Sequence, residues 1–373
     1  MNGTSAQAQH MEVLSRLVIG AYCDNRGART KAAEDPEPLR RDLQYVSALN
    51  PSQLADFLAL ANAHHVIVRA LTVLENAANM ENDARVAAWC AGSLAAERAR
   101  IERAVGILQL ICNALESREC HVAVIKSLDH WPDFGSDLDL YTTAEDRSVE
   151  QAMQEEFHAR PVARSWGDRL ANKWNYSVPG LPELVEIHVQ YLGQTGEHEA
   201  IAERVISRRT SKTIDGHEFY VPAPEERIVI SALQRMYRHF YFRLCDIVDT
   251  ALLLQTEVVR FDELKKTANW AGIEAGVATF LCLIQRYVEC YGGVLPLPDD
   301  VMASAPQRIS NVQFKDGYLR VPQATAAALY ASQLLQAGLR RDGRALLRLP
   351  LLPPLGVCAL VARGLTGNDK GIW

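Results

Sequence analysis

Three acidic residues have the types and spacing for chemistry: Asp137 and Asp139 within DLDL, and Glu186 within VEI. Alternate side chains of an extended chain share a face, so Asp137 and Asp139 point one way while Leu138 and Leu140 point the other. Two carboxylates converging on one point repel unless they share a proton or serve as oxygen ligands to a divalent cation. With Glu186 as a third acid, such a set can hold one or two Mg2+ ions, or Mn2+ in their place. It can then receive the phosphates of a nucleoside triphosphate and activate an attacking hydroxyl. That chemistry rests mostly on positioning and charge neutralisation.

Period-two stretches must present these acids. Val122, Val124 and Ile125 read as a short buried strand, 126–134 as a polar connector and 137–141 as the next strand. In 184–192, Val185, Ile187, Val189 and Tyr191 alternate with Glu186, His188 and Gln190, which places Glu186 on a polar face with His188. Further strands are expected at 159–165, 173–178 and 218–221, with helices at 146–157 and 201–209.

Helical patterns flank this unit. On the N-terminal side they cover 11–22, 53–63, 66–77 and 83–115, with Asn50 as cap and Pro51 at a first helical position. The polar stretch 24–38 reads as an exposed loop. On the C-terminal side one helix is expected from 225 to about 255, carrying Arg235, Arg238, His239 and Arg243. Helices follow at 262–270, capped by Asp262, at 274–290, ended by Gly292-Gly293, and at 324–339. The chain thus divides into a helical region at 1–118, a core at 119–222, a helical domain at 223–293 and a helical extension with a basic, apolar tail at 294–373. The expected class is α+β, a small mixed sheet between helical regions.

Composition narrows the function. A chain of 373 residues, 48% hydrophobic, has ample core, and a formal charge of -6 gives no strong signal for nucleic acid. The eight cysteines show no CxxC pair and no zinc spacing, and the N-terminus lacks a secretory pattern, which together suggest a reduced, cytoplasmic protein. The apolar tract 346–365 contains Pro350, Pro353 and Pro354 with Arg348 and Arg363, so it is expected to fall short of a spanning helix and to pack on the protein.

Ile125-Lys126-Ser127, the DLDL pair and Val185-Glu186-Ile187 together resemble the nucleotidyltransferase superfamily, and more narrowly the bacterial family of uncharacterised nucleotidyltransferases. The narrower likeness rests on Lys126 at a strand end, on Glu186-Ile187-His188, and on Pro224-Glu225 opening a helical region; it covers about 120–254. The resemblance implies a polymerase-beta-like sheet and transfer of NMP from an NTP, ATP first, to an acceptor the residues do not specify, with release of pyrophosphate. It also implies that Asp137, Asp139 and Glu186 ligate metal and that Glu186 acts as base. Lys126 and Ser127 meet the triphosphate, Gly135 and Ser136 offer a phosphate-facing turn, and Arg235, Arg238 and His239, with Arg243, cap its charge. Two positions depart: Lys126 stands at the superfamily's glycine and Ser127 at the narrower family's, and a Cβ there restricts backbone approach to phosphate.

Other readings of the same residues stay open. A DxD pair also serves metal-dependent glycosyltransferases that use a nucleotide sugar, and a catalytically inactive module of the same fold would keep the sheet without the reaction. His188 acts in catalysis or only hydrogen-bonds its neighbour. Trp131, Trp166 and Trp174 stack on a base or pack, and Asp246 and Asp249 pair with the arginine cluster.

Overall fold

The computed structural model describes residues 2–23, 37–306 and 309–366; most of the expected loop at 24–38 lies outside them. Five helices come first: α1 (Asn2–Tyr22), α2 (Glu37–Ser47), α3 (Pro51–Ala63), α4 (Ile67–Met80) and α5 (Ala84–Ser117). The Asn50 side chain accepts from Gln53 N while the Gln53 side chain accepts from Asn50 N, a reciprocal cap ahead of Pro51. Asp83 caps α5 through Val86 N at 3.0 Å. The sequence reading did not include α2, which buries Leu43 and Val46 and whose Asp42 pairs with Arg16 at 2.6 Å.

The central sheet contains β1 (Val122–Val124), β2 (Asp137–Thr142), β3 (Arg160–Pro161), β4 (Lys173–Ser177) and β5 (Leu184–Val189), in the order β1-β2-β5-β4-β3. Helices α6 (Asp146–Phe157) and α7 (Trp166–Ala171) lie in the crossover. The pair β2 and β5 is parallel, with Asp139 opposite Glu186 and Leu140 opposite Ile187, and the other pairs are antiparallel. Leu138, Leu140, Val185 and Ile187 are fully buried on the core face, so the acids take the other. The expected strand at 159–165 shrinks to two residues because Ser165 caps α7, accepting from Asp168 N at 3.0 Å.

After α8 (Ala200–Ser207) comes the hairpin β6 (Thr210–Ile214) and β7 (His217–Val221), turned by Asp215 and Gly216 at φ 50° and 77°. Asp-Gly between two strands is the ordinary signal for such a turn, and only the second strand had been expected.

The long helix expected from 225 breaks. It comprises α9 (Pro224–Ala232), a π-helical turn (Leu233–His239), Phe240 in left-handed conformation, β8 (Tyr241–Phe242) and α10 (Leu244–Thr256). Phe242 is buried, stacks on Phe280 at 5.5 Å and pairs with Leu319 of a distant strand, a contact that local periodicity cannot register. Then follow α11 (Phe261–Ala271), α12 (Glu274–Cys290), α13 (Asp299–Met302), β9 (Gln313–Lys315), β10 (Tyr318–Arg320) and α14 (Gln323–Arg340). Asp262 is not the cap of α11, which is Arg260; it lies in the first turn, where its charge suits the helix dipole.

The tail also departs from expectation. It forms α15 (Gly343–Arg348), a 3-10 turn (Leu349–Leu351) and α16 (Leu352–Thr366). Pro350 falls in the 3-10 turn and Pro353 and Pro354 in the opening turn of α16, where a missing N–H costs nothing. By length and composition Gly343–Thr366 is therefore long and apolar enough to cross a membrane. Ala345 and Leu349 are buried against α14, while Leu347, Leu360 and Leu365 are 77%, 72% and 82% exposed.

Candidate active site

Asp137, Asp139 and Glu186 line one wall of a cleft of about 620 Å³, together with Lys126, Ser127, Gly135 and Ser136. The opposite wall supplies Gln234, Arg235, Arg238, His239 and Arg243. Every site residue expected from the sequence therefore meets in one place. Asp139, Glu186 and His188 bring potential ligand atoms within 4.8 Å of one another. Asp137 sits at the exposed end of β2, where its carboxylate accepts from Ser136 Oγ at 3.3 Å.

The acids are heavily engaged. Lys126 Nζ stands 2.6 Å from Asp139 Oδ1, and Lys173 Nζ stands 3.1 Å from Glu186 Oε2 and 2.8 Å from Asp168. His188 Nε2 donates to Glu186 Oε1 at 2.9 Å. Burial and the nearby Glu186 push the Asp137 carboxyl up. Burial, opposed by Lys126, pushes Asp139 up to about 6. Burial also works against the charge of Glu186, but Lys173 and His188 hold its carboxyl well below the usual carboxylate range. Burial lowers His188 to about 4. Carboxyls this close, with values driven apart, interact strongly with one another and with the two lysines.

The connector after β1 is far from a loose loop. Lys126 adopts φ 75°, the left-handed region where glycine is most at ease. The Ser127 hydroxyl donates to Asp137 O at 3.1 Å and accepts from Asp139 N at 2.8 Å, so it braces β2 at the back of the cleft. Downstream, Arg227 pairs with Asp129 at 2.6 Å and His130 with Asp249 at 2.5 Å. Arg69, fully buried, donates to Trp131 O at 2.8 Å and pairs with Asp249 at 2.7 Å. Asp133 accepts from Val68 N and Arg69 N at the start of α4, and Arg100 donates to Phe134 O and Gly135 O. Such buried, hydrogen-bonded ion pairs fix one geometry.

The helical wall carries the positive charge. The π-helical turn presents Gln234, Arg235, Arg238 and His239 to the cleft, and π-turns recur at functional sites. Arg235 pairs with Asp246 at 2.8 Å, while Asp249 turns to Arg69 and His130 rather than to the cluster. Arg238 has no ion-pair partner among the described residues, and the buried Nε of Arg243 has no hydrogen-bond partner there. Burial, reinforced by Arg238 and Arg235, lowers His239 well below its ordinary value, so it enters the cleft neutral.

A hard cation suits the oxygen donors of this set, with no thiol among them. Trp131, Trp166 and Trp174 are not among the cleft residues; Trp166 is 63% exposed and Trp174 stacks on Tyr176. Sequence reasoning missed Lys173, Gln234 and Arg69. Lys173 had a signal, since it opens a strand whose alternation places it beside His188, and the two are register partners. Arg69 had none, as one arginine in an apolar helix reads as surface.

The model of the uncharacterised nucleotidyltransferase family matches residues 50–289. The chain belongs to that family. An antigenic nucleotidyltransferase-like protein from Paracoccidioides brasiliensis is 16% identical, with a TM-score of 0.35, over 54% of this chain and 92% of that one. No curated protein matches.

Proposed function

We propose that this protein is a magnesium-dependent nucleotidyltransferase that moves NMP from an NTP, ATP being the first to test, to an acceptor hydroxyl or phosphate. The observation that carries the reading is a single cleft with Asp137, Asp139 and Glu186 on one wall and Arg235, Arg238 and Arg243 on the other. A triphosphate bridged to such acids by metal and gripped by such cations has its charge neutralised from both sides.

Asp137, Asp139 and Glu186 would hold Mg2+ or Mn2+, which when bound draws charge from the phosphate oxygens. Arg238 and Arg243 grip the triphosphate, and Lys126 turns from Asp139 toward it. For a hydroxyl acceptor, the oxygen bonds to the α-phosphorus as the bond to the β-phosphate oxygen breaks, and pyrophosphate leaves. Glu186, kept anionic by Lys173, orients the hydroxyl and takes its proton. The loose transition state asks little basicity of it. Eight free cysteines support a reducing setting such as the cytoplasm.

Purified protein with α-labelled ATP, magnesium and mixed acceptors should release pyrophosphate. Retention of that release by Asp137→Asn and Asp139→Asn would refute the reading. The ammonium pairs at Asp139 and Glu186 favour a second reading, an inactive module in which lysines have replaced the metal. It requires that no NTP raises Tm with magnesium or manganese present.

A further inference from the structure

A second chamber opens beside the cleft and shares Lys126, Gln234 and Arg238 with it. Its walls are Ile125, Leu192, Ile230, Leu233 and Tyr237, and His188, the neighbour of Glu186, faces it. Two enclosed polar atoms there have no hydrogen-bond partner among the described residues: Nδ1 of His188 and Oε1 of Gln194, on residues 5% and 9% exposed. Buried groups of this kind are normally satisfied by protein, water or ligand, so they leave acceptors open to a hydroxyl. The third polar member is Glu197, 3% exposed, whose carboxylate accepts from Thr195 N at 2.8 Å and Gln194 N at 3.4 Å. Gly193, at φ 98°, makes room for it: a Cβ would lie 2.4 Å from that carboxyl.

The loop carrying Gly193, Gln194 and Glu197 is strapped from outside by the basic tail. Arg348 donates to Thr195 O and Leu170 O, while Arg344 donates to Gly196 O at 2.7 Å and lies 3.5 Å over the Tyr191 ring. Tail and chamber are one construction.

We infer that this chamber is the acceptor subsite and takes a small hydroxyl-bearing molecule, a polyol, rather than a nucleic-acid strand or protein. The inference rests on the nucleotidyltransferase reading. Apolar side chains enclose one face of the ligand, Gln194 Oε1 and the Glu197 carboxylate accept from hydroxyls, and a further hydroxyl reaches Glu186 beside His188. A half-enclosed chamber beside the cleft, apolar on one face and polar on the other, suits a small hydroxyl-bearing ligand.

The test uses the full chain with magnesium, a fluorescent ATP analogue for nucleotide binding, and pyrophosphate release with glucose, myo-inositol, glycerol or a mixed oligoribonucleotide as acceptor. A polyol should stimulate release. Gln194→Leu and Leu233→Trp should each cut that stimulation about tenfold or more while nucleotide affinity holds. Gln194→Leu removes an unpaired polar atom, so it preserves folding if Leu233→Trp does not. Arg348→Met should raise the acceptor KM without raising that for nucleotide. If nucleotide binds but no polyol stimulates, or the oligoribonucleotide does, the acceptor inference falls and the nucleotidyltransferase reading survives. If both variants weaken nucleotide binding, the chamber houses the base and the inference falls. No nucleotide binding at all sinks both.

Discussion

Lys126 and Asp139 form an ion pair of 2.6 Å, and next to it Ile125 N donates to Asp139 O at 2.9 Å. The lysine holds this position at φ 75°. A left-handed non-glycine residue costs about 1–2 kcal/mol, which glycine would not. Lys126→Gly and Lys126→Ala both lose the ion pair, yet only alanine keeps the strain. The glycine variant should therefore be the more stable, by about 1 kcal/mol in urea unfolding. Equal midpoints would show that the backbone is unstrained.

The two arginines of the π-turn should separate cleanly. Arg235→Ala strips a buried partner from Asp246 and should cost about 3 kcal/mol of stability. Arg238 has no ion pair among the described residues, so Arg238→Ala should leave stability within about 0.5 kcal/mol. Its effect should be a nucleotide KM raised by about tenfold, from a lost charge-assisted contact to phosphate. A destabilised Arg238→Ala with unchanged KM would place that side chain in the scaffold.

Lys173 binds Asp168 and Glu186 at once and is buried. Lys173→Met leaves two carboxylates without their cation and should cost about 3 kcal/mol or more, read by denaturant unfolding. It should also raise the pH at which activity appears, because Glu186 then keeps its proton to higher pH. An unshifted pH profile would show that Lys173 does not set the charge of Glu186.

His64 offers a pH test away from the acids. Its Nδ1 accepts from Leu244 N and its Nε2 donates to Gly317 O, both at 2.9 Å, and burial lowers it to about 4. Its folded value is depressed, so the unfolded chain binds the extra proton between about pH 6.5 and 4. The neutral imidazole then contributes stability above pH 6.5 that drains away as pH falls through that window. The loss from this group should reach about 3 kcal/mol, at 1.36 per unit, and the slope should fall by that share in His64→Asn. An identical slope in the variant would exclude His64 as its source.

Much of this was legible where local pattern and chemistry agreed. The alternation that gives β2 and β5, the cap at Asn50, and the run of basic residues after Pro224 all lie in short windows. What escaped depends on distance in the chain. The break after His239 is imposed by pairing of Tyr241–Phe242 with β10, and the anchoring of the connector by Arg69, Arg100 and Arg227 joins residues remote in sequence. The tail escaped because its prolines fell where a helix tolerates them.

The register of β2 against β5 has a further consequence. Side chains alternate with a period of two, so inserting one residue within either strand turns that strand's buried leucines, valine or isoleucine to the cleft and its acid or acids to the core. The loops of the crossover between Thr142 and Leu184 can absorb changes of length, whereas neither these strands nor β4, which is in register with β5, can absorb even one residue. Tolerance to insertion should fall from nearly complete to none within a few positions, so a length scan would trace the reactive surface without any knowledge of the substrate.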